Sequence, residues 1–349
     1  MAKTVFVGLS GGVDSSVAAL RLKNQGYKVV GVFIKVWHPD WLVCNWEAER
    51  LDAMRVAAHI GIPFLTCDAE ASYRDEVARY FIESYKAGKT PNPDVMCNKE
   101  VKFGAFYRFA KDHGADYIAT GHYAMKLAPD TMGRGIDHNK DQSYFLWTLT
   151  SEQLKDTLFP VGDTDKEQIR AEAAAAGLPT AVKRDSQGVC FLGHIDIPEF
   201  LSHYIDLVPG QVVDEAGVVI GTHQGAFVYT LGQRQGFSVT KKSASDTPYY
   251  VVGKNIDTNT ITVSNTPPQI TADTTITLTN LVWRGTPLVV GDSYEAQFRY
   301  RQTPFTVTVT AVTDTSISIA VATPTDKPAS GQSCVLYRGS LCLGGGIIS

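Results

Sequence analysis

No two of the six cysteines in this 349-residue chain are spaced C-x-x-C, so neither a zinc ribbon nor a thioredoxin-type pair is supported. Six cysteines in so long a chain do not make a disulfide scaffold, and no spacing suggests a cysteine-held iron–sulfur cluster. A basic excess is missing too. The net charge of −4 argues mildly against a nucleic acid partner unless a local basic face exists. Apolar runs stop at strand length, so no segment is expected to span a membrane. There is no charged-then-apolar leader, and a first strand beginning at Lys3 leaves no room for a transit peptide, so a cytoplasmic location is expected. What the chain does have is length for two or three domains, and a hydrophobic content of 44% sufficient for a sizeable core.

Up to about Leu192 strands and helices alternate. Lys3–Leu9, Lys28–Lys35, Pro63–Cys67 and Asp116–Thr120 read as strands, and Val13–Gln25, Trp46–Ile60, Ala69–Lys86 and Lys99–His113 as helices. Gly26 stops the first helix. Thr164 and Glu167 read as a capping box opening a later helix that Gly177 and Pro179 close. Such alternation predicts a parallel sheet with helices on both faces, with ligands beyond the carboxyl ends of the strands, where Ser10 and Gly121 fall. From about Leu207 the period becomes two, as in Thr275–Thr279 and Phe305–Val309, which predicts antiparallel sheet. The expected architecture is an α/β domain over 1–199, a small middle domain over 200–265 and an antiparallel β-barrel over 270–349. No internal repeat or low-complexity tract is apparent.

Between the first strand and helix lies Ser10-Gly11-Gly12-Val13-Asp14-Ser15-Ser16. Its glycines let backbone approach a ligand, and the helix behind it offers unsatisfied N–H groups and a positive dipole end, so a phosphate is the expected guest. The loop has neither the lysine of GxxxxGK[ST] nor the GxGxxG fingerprint. SGGVDSS instead resembles the signature of N-type ATP pyrophosphatases, which implies cleavage between the α- and β-phosphates with AMP left on the substrate. Asp14 is suited to help hold Mg2+ with the nucleotide. The plainer alternative is a Ser-capped helix after a Gly-Gly turn.

Two cysteines follow in polar, turn-like surroundings. Cys97 lies in Thr90–Glu100 (TPNPDVMCNKE) and Cys190 in Asp185–Phe191 (DSQGVCF). One nucleotide loop and two such thiols imply that ATP activates a group that sulfur then attacks. Lys99, Lys102, Lys183 and Arg184 are near enough in sequence to favour the thiolates. The alternative for any cysteine is burial as a small apolar residue, which is expected of Cys44, Cys67, Cys334 and Cys342.

SGGVDSS, TPNPDVMCNKEVKF, DYIATGHY, NKDQSYFL, DSQGVCFLG, YTLGQRQG, RYRQT and CLGGGII resemble, in that order and over essentially the whole chain, the tRNA-specific 2-thiouridylase family. The resemblance implies replacement of the 2-oxygen of the wobble uridine by sulfur in tRNAs for lysine, glutamate and glutamine. A uridine 2-carbonyl is a poor electrophile, and adenylation turns its oxygen into the good leaving group AMP. A persulfide or thiolate is then a strong enough nucleophile at neutral pH. By resemblance Cys190 carries the persulfide, Cys97 is the nucleophile, and a Cys97–Cys190 disulfide remains after turnover. Gly8, Leu9, Ser10, Gly11, Gly12, Val13, Asp14, Ser15, Ile34 and Gly121 form the implied ATP set, Ile34 standing where methionine is common.

Asn92, Pro93 and Asp94 are implied contacts of the target base. Asp94 has the reach to accept a proton or orient the base, and capping the Lys99 helix is its alternative role. His122, Lys140, Asp141, Gln142, Arg299, Tyr300 and Gln332 are the implied tRNA contacts. Arginines flanking Tyr300 suit phosphate contacts plus base stacking; the alternative is that Arg299 and Arg301, sharing one face of an antiparallel strand, are simply solvated. The wobble base is expected to leave its stack for a pocket. The sulfur is expected from a donor protein, a sulfur-relay protein or a cysteine desulfurase.

The stretch His38–Trp46 (HPDWLVCNW) is more apolar and aromatic than the acidic loop expected of the family, which puts donor docking there in doubt. Two other readings compete. An amide or guanidine ligase of the amidotransferase or argininosuccinate synthetase kind shares the loop but needs no paired thiols. A non-catalytic RNA-binding protein would have no reason to keep SGGVDSS.

Overall fold

The computed structural model describes residues 2–42, 46–184, 196–240 and 247–349. Cys44 and Cys190 lie outside these residues, as does the rest of the expected Asp185–Phe191 motif.

The apolar run Thr4–Gly8 forms β1, followed by α1 (Val13–Asn24), β2 (Lys28–Lys35), α2 (Trp46–Ile60), β3 (Phe64–Asp68) and β4 (Tyr117–Ala119). The sheet order is β3-β2-β1-β4, extended by Thr157–Leu158, and every pairing is parallel. Period-two alternation decides the faces of β1. Val5 and Val7 enter the core under α1, α2 and the helix Lys166–Ala175, while Phe6 enters the opposite core with Phe103, Phe106 and Ile118. The chain reverses direction of travel across the sheet between β1 and β4. The crevice beyond their carboxyl ends is therefore the ligand position of an open parallel sheet.

Two helix starts differ from expectation. The helix expected from Lys99 begins at Pro93 and runs on through Pro93–Met96, Cys97–Ala105 and Phe106–Asp112. Asn92 caps it, its Oδ1 accepting the Val95 N–H at 3.2 Å, and Pro93 sits in the first turn where no N–H is missed. Cys97 is consequently on a helix, at the start of a π-helical stretch, and not in a turn. The capping box expected at Thr164 and Glu167 is absent. Asp165 is the cap, accepting the Gln168 N–H at 2.9 Å, while Thr164 Oγ1 receives Arg21 Nη1 at 2.9 Å.

In the middle region, Gly210–Val213, Val219–His223, Phe237–Val239, Tyr250–Asn255 and Thr260–Ser264 form one sheet. The helix Ile197–Ser202 turns Phe200 and Leu201 into a core shared with Tyr73, Val77 and Cys97. Trp41 stacks on His203 at 3.7 Å and packs near Phe200 and Tyr204. Trp41, from the apolar stretch beginning at His38, is thus a contact with the middle region.

The C-terminal strands close on themselves, Thr275–Trp283 pairing antiparallel with both Ser316–Val321 and Leu341–Ile348. A further pairing was not legible in the sequence. The hairpin Ala124–Ala128 and Thr131–Arg134, on the α/β side, joins the edge of Leu341–Ile348 through Leu341↔Gly133 and Cys342↔Met132. Barrel residues Val335, Tyr337 and Cys342 accordingly pack in one core with Trp147 and Phe103. Among the described residues no helix is long and apolar enough to cross a membrane.

Candidate functional site

β1 ends at Gly8, and the chain turns through Gly11 at φ +70°, where a Cβ would come within 2.7 Å of the Glu49 carbonyl oxygen in α2. Only glycine fits there. Gly12 is the N-cap of α1 with extended backbone and no side-chain cap, so the first N–H groups of α1 and its positive end are left for a ligand. Serines knit the turn. Ser10 N–H donates to Ser15 Oγ at 3.3 Å, Gly12 N–H to Ser10 Oγ at 3.3 Å, and Ser16 Oγ to the Gly12 carbonyl at 2.7 Å. Leu9 and Val13 are buried and have only backbone to offer a nucleotide. Gly121, beyond β4, lies flat on the helix start, where a Cβ would be 2.6 Å from the Ser15 nitrogen. Ile34 reaches to 3.5 Å from the Cβ position of Gly8. An uncapped helix start between two glycine contacts fits the phosphates of ATP.

Asp14 accepts the Tyr123 hydroxyl at 2.7 Å and Lys166 Nζ at 2.7 and 2.8 Å. Among the described residues no group of three or more His, Cys, Asp or Glu gathers to hold a metal. A lone carboxylate beside a phosphate site is nevertheless the donor set magnesium uses when it arrives with a nucleotide. Lys166 and Tyr123 escaped the sequence reading. Tyr123 was findable, directly behind Gly121 and His122; Lys166, 152 residues beyond Asp14, carried no local signal.

The thiol side reaches this loop through His122. Its Nδ1 is 2.8 Å from Thr120 Oγ1, and Lys102 Nζ, on the helix of Cys97, stands 3.4 Å from its Nε2. Burial, helped by the Lys102 charge, holds the His122 imidazole well below its usual pKa, so it is neutral at physiological pH. Cys97 is only 3% exposed, packed with Tyr73, Val77 and Phe200. The open, polar surroundings expected for it are not found in this state. Asp94 is half-buried in the first turn of that helix, and the cap is Asn92. Cys67, Cys334 and Cys342 are buried as expected; burial raises all three thiols, Cys67 to about 11.

The expected RNA contacts fall at one junction, but several face inward. Asp141 is buried and accepts from Gly135 N–H at 3.0 Å, Ser143 N–H at 3.0 Å and Arg134 Nη1 at 3.3 Å. Gln142 Oε1 takes the Tyr123 N–H at 3.0 Å, and Gln332 Oε1 the Ala329 N–H at 2.9 Å. Arg299–Arg301 is a turn, not a strand, so the two arginines do not share a strand face. Arg301 is left-handed at φ +63°, and Gln302 Oε1 accepts both Phe298 N–H and Arg299 N–H. Tyr300 packs on Phe145 at 4.5 Å between ring centres. Arg301 Nη2 donates to the Asn139 carbonyl at 2.9 Å, bringing this turn beside Lys140. The Thr90 N–H donates to the Ser330 carbonyl at 2.8 Å, which sets the Asn92–Asp94 segment against the Gln332 turn.

Three family descriptions match the chain in succession: a tRNA methyl transferase HUP domain over 3–194, a tRNA methyl transferase PRC-barrel domain over 198–265, and an aminomethyltransferase beta-barrel domain over 273–348. The tRNA-specific 2-thiouridylase MnmA of Lacticaseibacillus paracasei is 46% identical across 99% of this chain and 93% of its own. The chain belongs to this family. The enzymes of the same name from Lysinibacillus sphaericus and Vibrio cholerae are 44% and 43% identical, each across 99% of the chain and 93% and 96% of their own lengths. The solved U34-tRNA thiolase NcsA of Methanococcus maripaludis overlays 51% of this chain and 57% of its own at 16% identity and a TM-score of 0.34.

Proposed function

We infer that this chain is an ATP-dependent tRNA sulfurtransferase that converts the wobble uridine of tRNAs for lysine, glutamate and glutamine to 2-thiouridine in the cytoplasm. Kinship over 99% of the chain carries the reading, and the uncapped, glycine-bound start of α1 supports the use of ATP. In the proposed sequence the uridine 2-oxygen attacks the α-phosphate, pyrophosphate leaves, and AMP is esterified to C2. The outer sulfur of a Cys190 persulfide, loaded by a sulfur-relay protein or cysteine desulfurase, attacks C2 and AMP departs with the oxygen. The Cys97 thiolate then attacks Cys190 Sγ, so the new sulfur stays on the base and the two thiols end as a Cys97–Cys190 disulfide that a reductant must reopen. Asp94 accepts or positions the proton of the base. Asp14 is the residue to hold magnesium, which would neutralise phosphate charge.

The proposed division of labour follows the units 1–199, 200–265 and 270–349: adenylation and thiol chemistry in the first, support of the thiol helix in the second, grip on the tRNA body in the third. Lys140, Arg299 and Arg301 are the cations suited to phosphates, and Asn92, Asp141, Gln142 and Gln332 act by shaping the turns that carry them. The test supplies ATP, a persulfide source and unmodified tRNA for glutamate. Thiolated tRNA with one pyrophosphate per sulfur is expected. Amine-dependent pyrophosphate release would mark a ligase, and tRNA binding without turnover a non-catalytic RNA-binding protein.

A further inference from the structure

We propose that Lys166 is the cation that grips the phosphates of ATP in this enzyme, held ready by Asp14 until the nucleotide arrives; the inference rests on the functional reading above. The nucleotide loop carries no lysine of its own, unlike loops of the GxxxxGK[ST] type. Cleavage at the α-phosphate still develops charge on departing pyrophosphate, and a positioned ammonium is a standard way to meet it. Lys166 is the buried cation at this spot. It is 9% exposed, yet its Nζ reaches both carboxylate oxygens of Asp14 in the first turn of α1. Lys183 also flanks the loop, but it is paired with Asp52 at 2.7 Å and its side chain is more than a third exposed, where solvent screens it.

A purely structural role for the Lys166–Asp14 pair is poorly motivated. The helix Lys166–Ala175 is already clamped to α1 by Arg21, whose Nε and Nη2 donate to Glu172 at 2.9 and 2.7 Å and whose Nη1 donates to the Pro160 carbonyl at 2.9 Å. Burying an ion pair gains little over an apolar contact of the same size. The clamp does have a consequence for Lys166: it fixes the backbone from which the lysine extends, with Lys166 N–H donating to Asp137 at 3.1 Å. Only the tip of the side chain has to move for Asp14 to be released toward magnesium and the ammonium toward phosphate.

The experiment compares Kd for ATP and for AMP in wild-type and Lys166→Met protein, with pyrophosphate release on tRNA and a melting curve alongside. Loss of one charge-assisted contact to the β- and γ-phosphates should weaken ATP by about 10- to 100-fold while AMP changes by less than about twofold. Lys166→Arg should recover part of the loss. Unchanged ATP binding, or equal losses for ATP and AMP, overturns the proposal. Should Lys166→Met not fold, the wild-type enzyme is treated with an acyl-phosphate derivative of ATP. Acylation of Lys166 supports the assignment, and acylation confined to other lysines overturns it. Wild-type enzyme that thiolates tRNA while Lys166→Met binds ATP normally would remove this inference and leave the functional reading standing.

Discussion

The nucleotide loop at 10–16 and the paired turns at 139–142 and 299–302 both consist of motif residues, but they use their side chains for different tasks. In the loop the motif works through backbone. Gly11 and Gly121 have no room for a Cβ, and Ser10, Ser15 and Ser16 tie the turn so that helix N–H groups stay open. In the turns the motif works through a buried carboxylate and half-buried amide groups. Asp141, Gln142 and Gln302 each accept backbone N–H groups, while Arg299 pairs with Asp326 at 3.7 Å and Arg301 donates to the Asn139 carbonyl, so the phosphate contacts proposed for these arginines have to compete with local partners. A motif residue is therefore weak evidence for ligand contact by its own side chain; what it satisfies locally has to be known first.

The contrast can be broken at its chemical centre. Cys97→Ala and Cys190→Ala should each lower thiolation by at least about a thousandfold, with tRNA affinity within about twofold by filter binding. Thiolation surviving either change removes the assigned role. Gly121→Ala should cut pyrophosphate formation by roughly 10- to 100-fold, because its methyl group must displace the Ser15 backbone. A fully active alanine variant would mean that the close approach is incidental.

In the turns, opposite outcomes are expected from neighbours. Asp141→Ala should cost about 2–3 kcal/mol in denaturant unfolding by orphaning several buried donors. Arg301→Ala should leave stability within about 0.5 kcal/mol. It should weaken tRNA and reduce the salt slope of binding by about one. Reversed results would make Asp141 the contact and Arg301 the scaffold. A pH-dependent effect concerns His122. Its depressed pKa means that the unfolded chain takes up the proton more readily, so stability falls as pH drops below the ordinary value of 6.5. The slope is at most about 1.4 kcal/mol per pH unit for one proton. His122→Gln should flatten that part of the acid-unfolding curve, and an unchanged curve would relocate the proton.

The parallel sheet, the switch to antiparallel strands and the loop at Ser10 were legible because each is a local pattern: β-branched runs, period-two alternation, a Gly-Gly turn before a helix. Asn92-Pro93 was legible in principle as a cap followed by a first-turn proline. Its reading as a rigid turn hid the fact that Cys97 rides on a buried helix. Other features had no local signal at all. The hairpin Ala124–Arg134 joins a strand more than two hundred residues away, and Lys166 meets Asp14 where α1 and the helix Lys166–Ala175 lie side by side through a shared apolar core and the Arg21 clamp. Such contacts depend on tertiary packing, which periodicity does not encode.

The most direct measurement of the central claim follows the oxygen. Unmodified tRNA carrying 18O at C2 of the wobble uridine is turned over with ATP and a persulfide donor, and the AMP is analysed by mass spectrometry. Adenylation of the carbonyl predicts one labelled oxygen in the AMP phosphate for every thiouridine formed. Thiolated tRNA accompanied by unlabelled AMP would contradict the account.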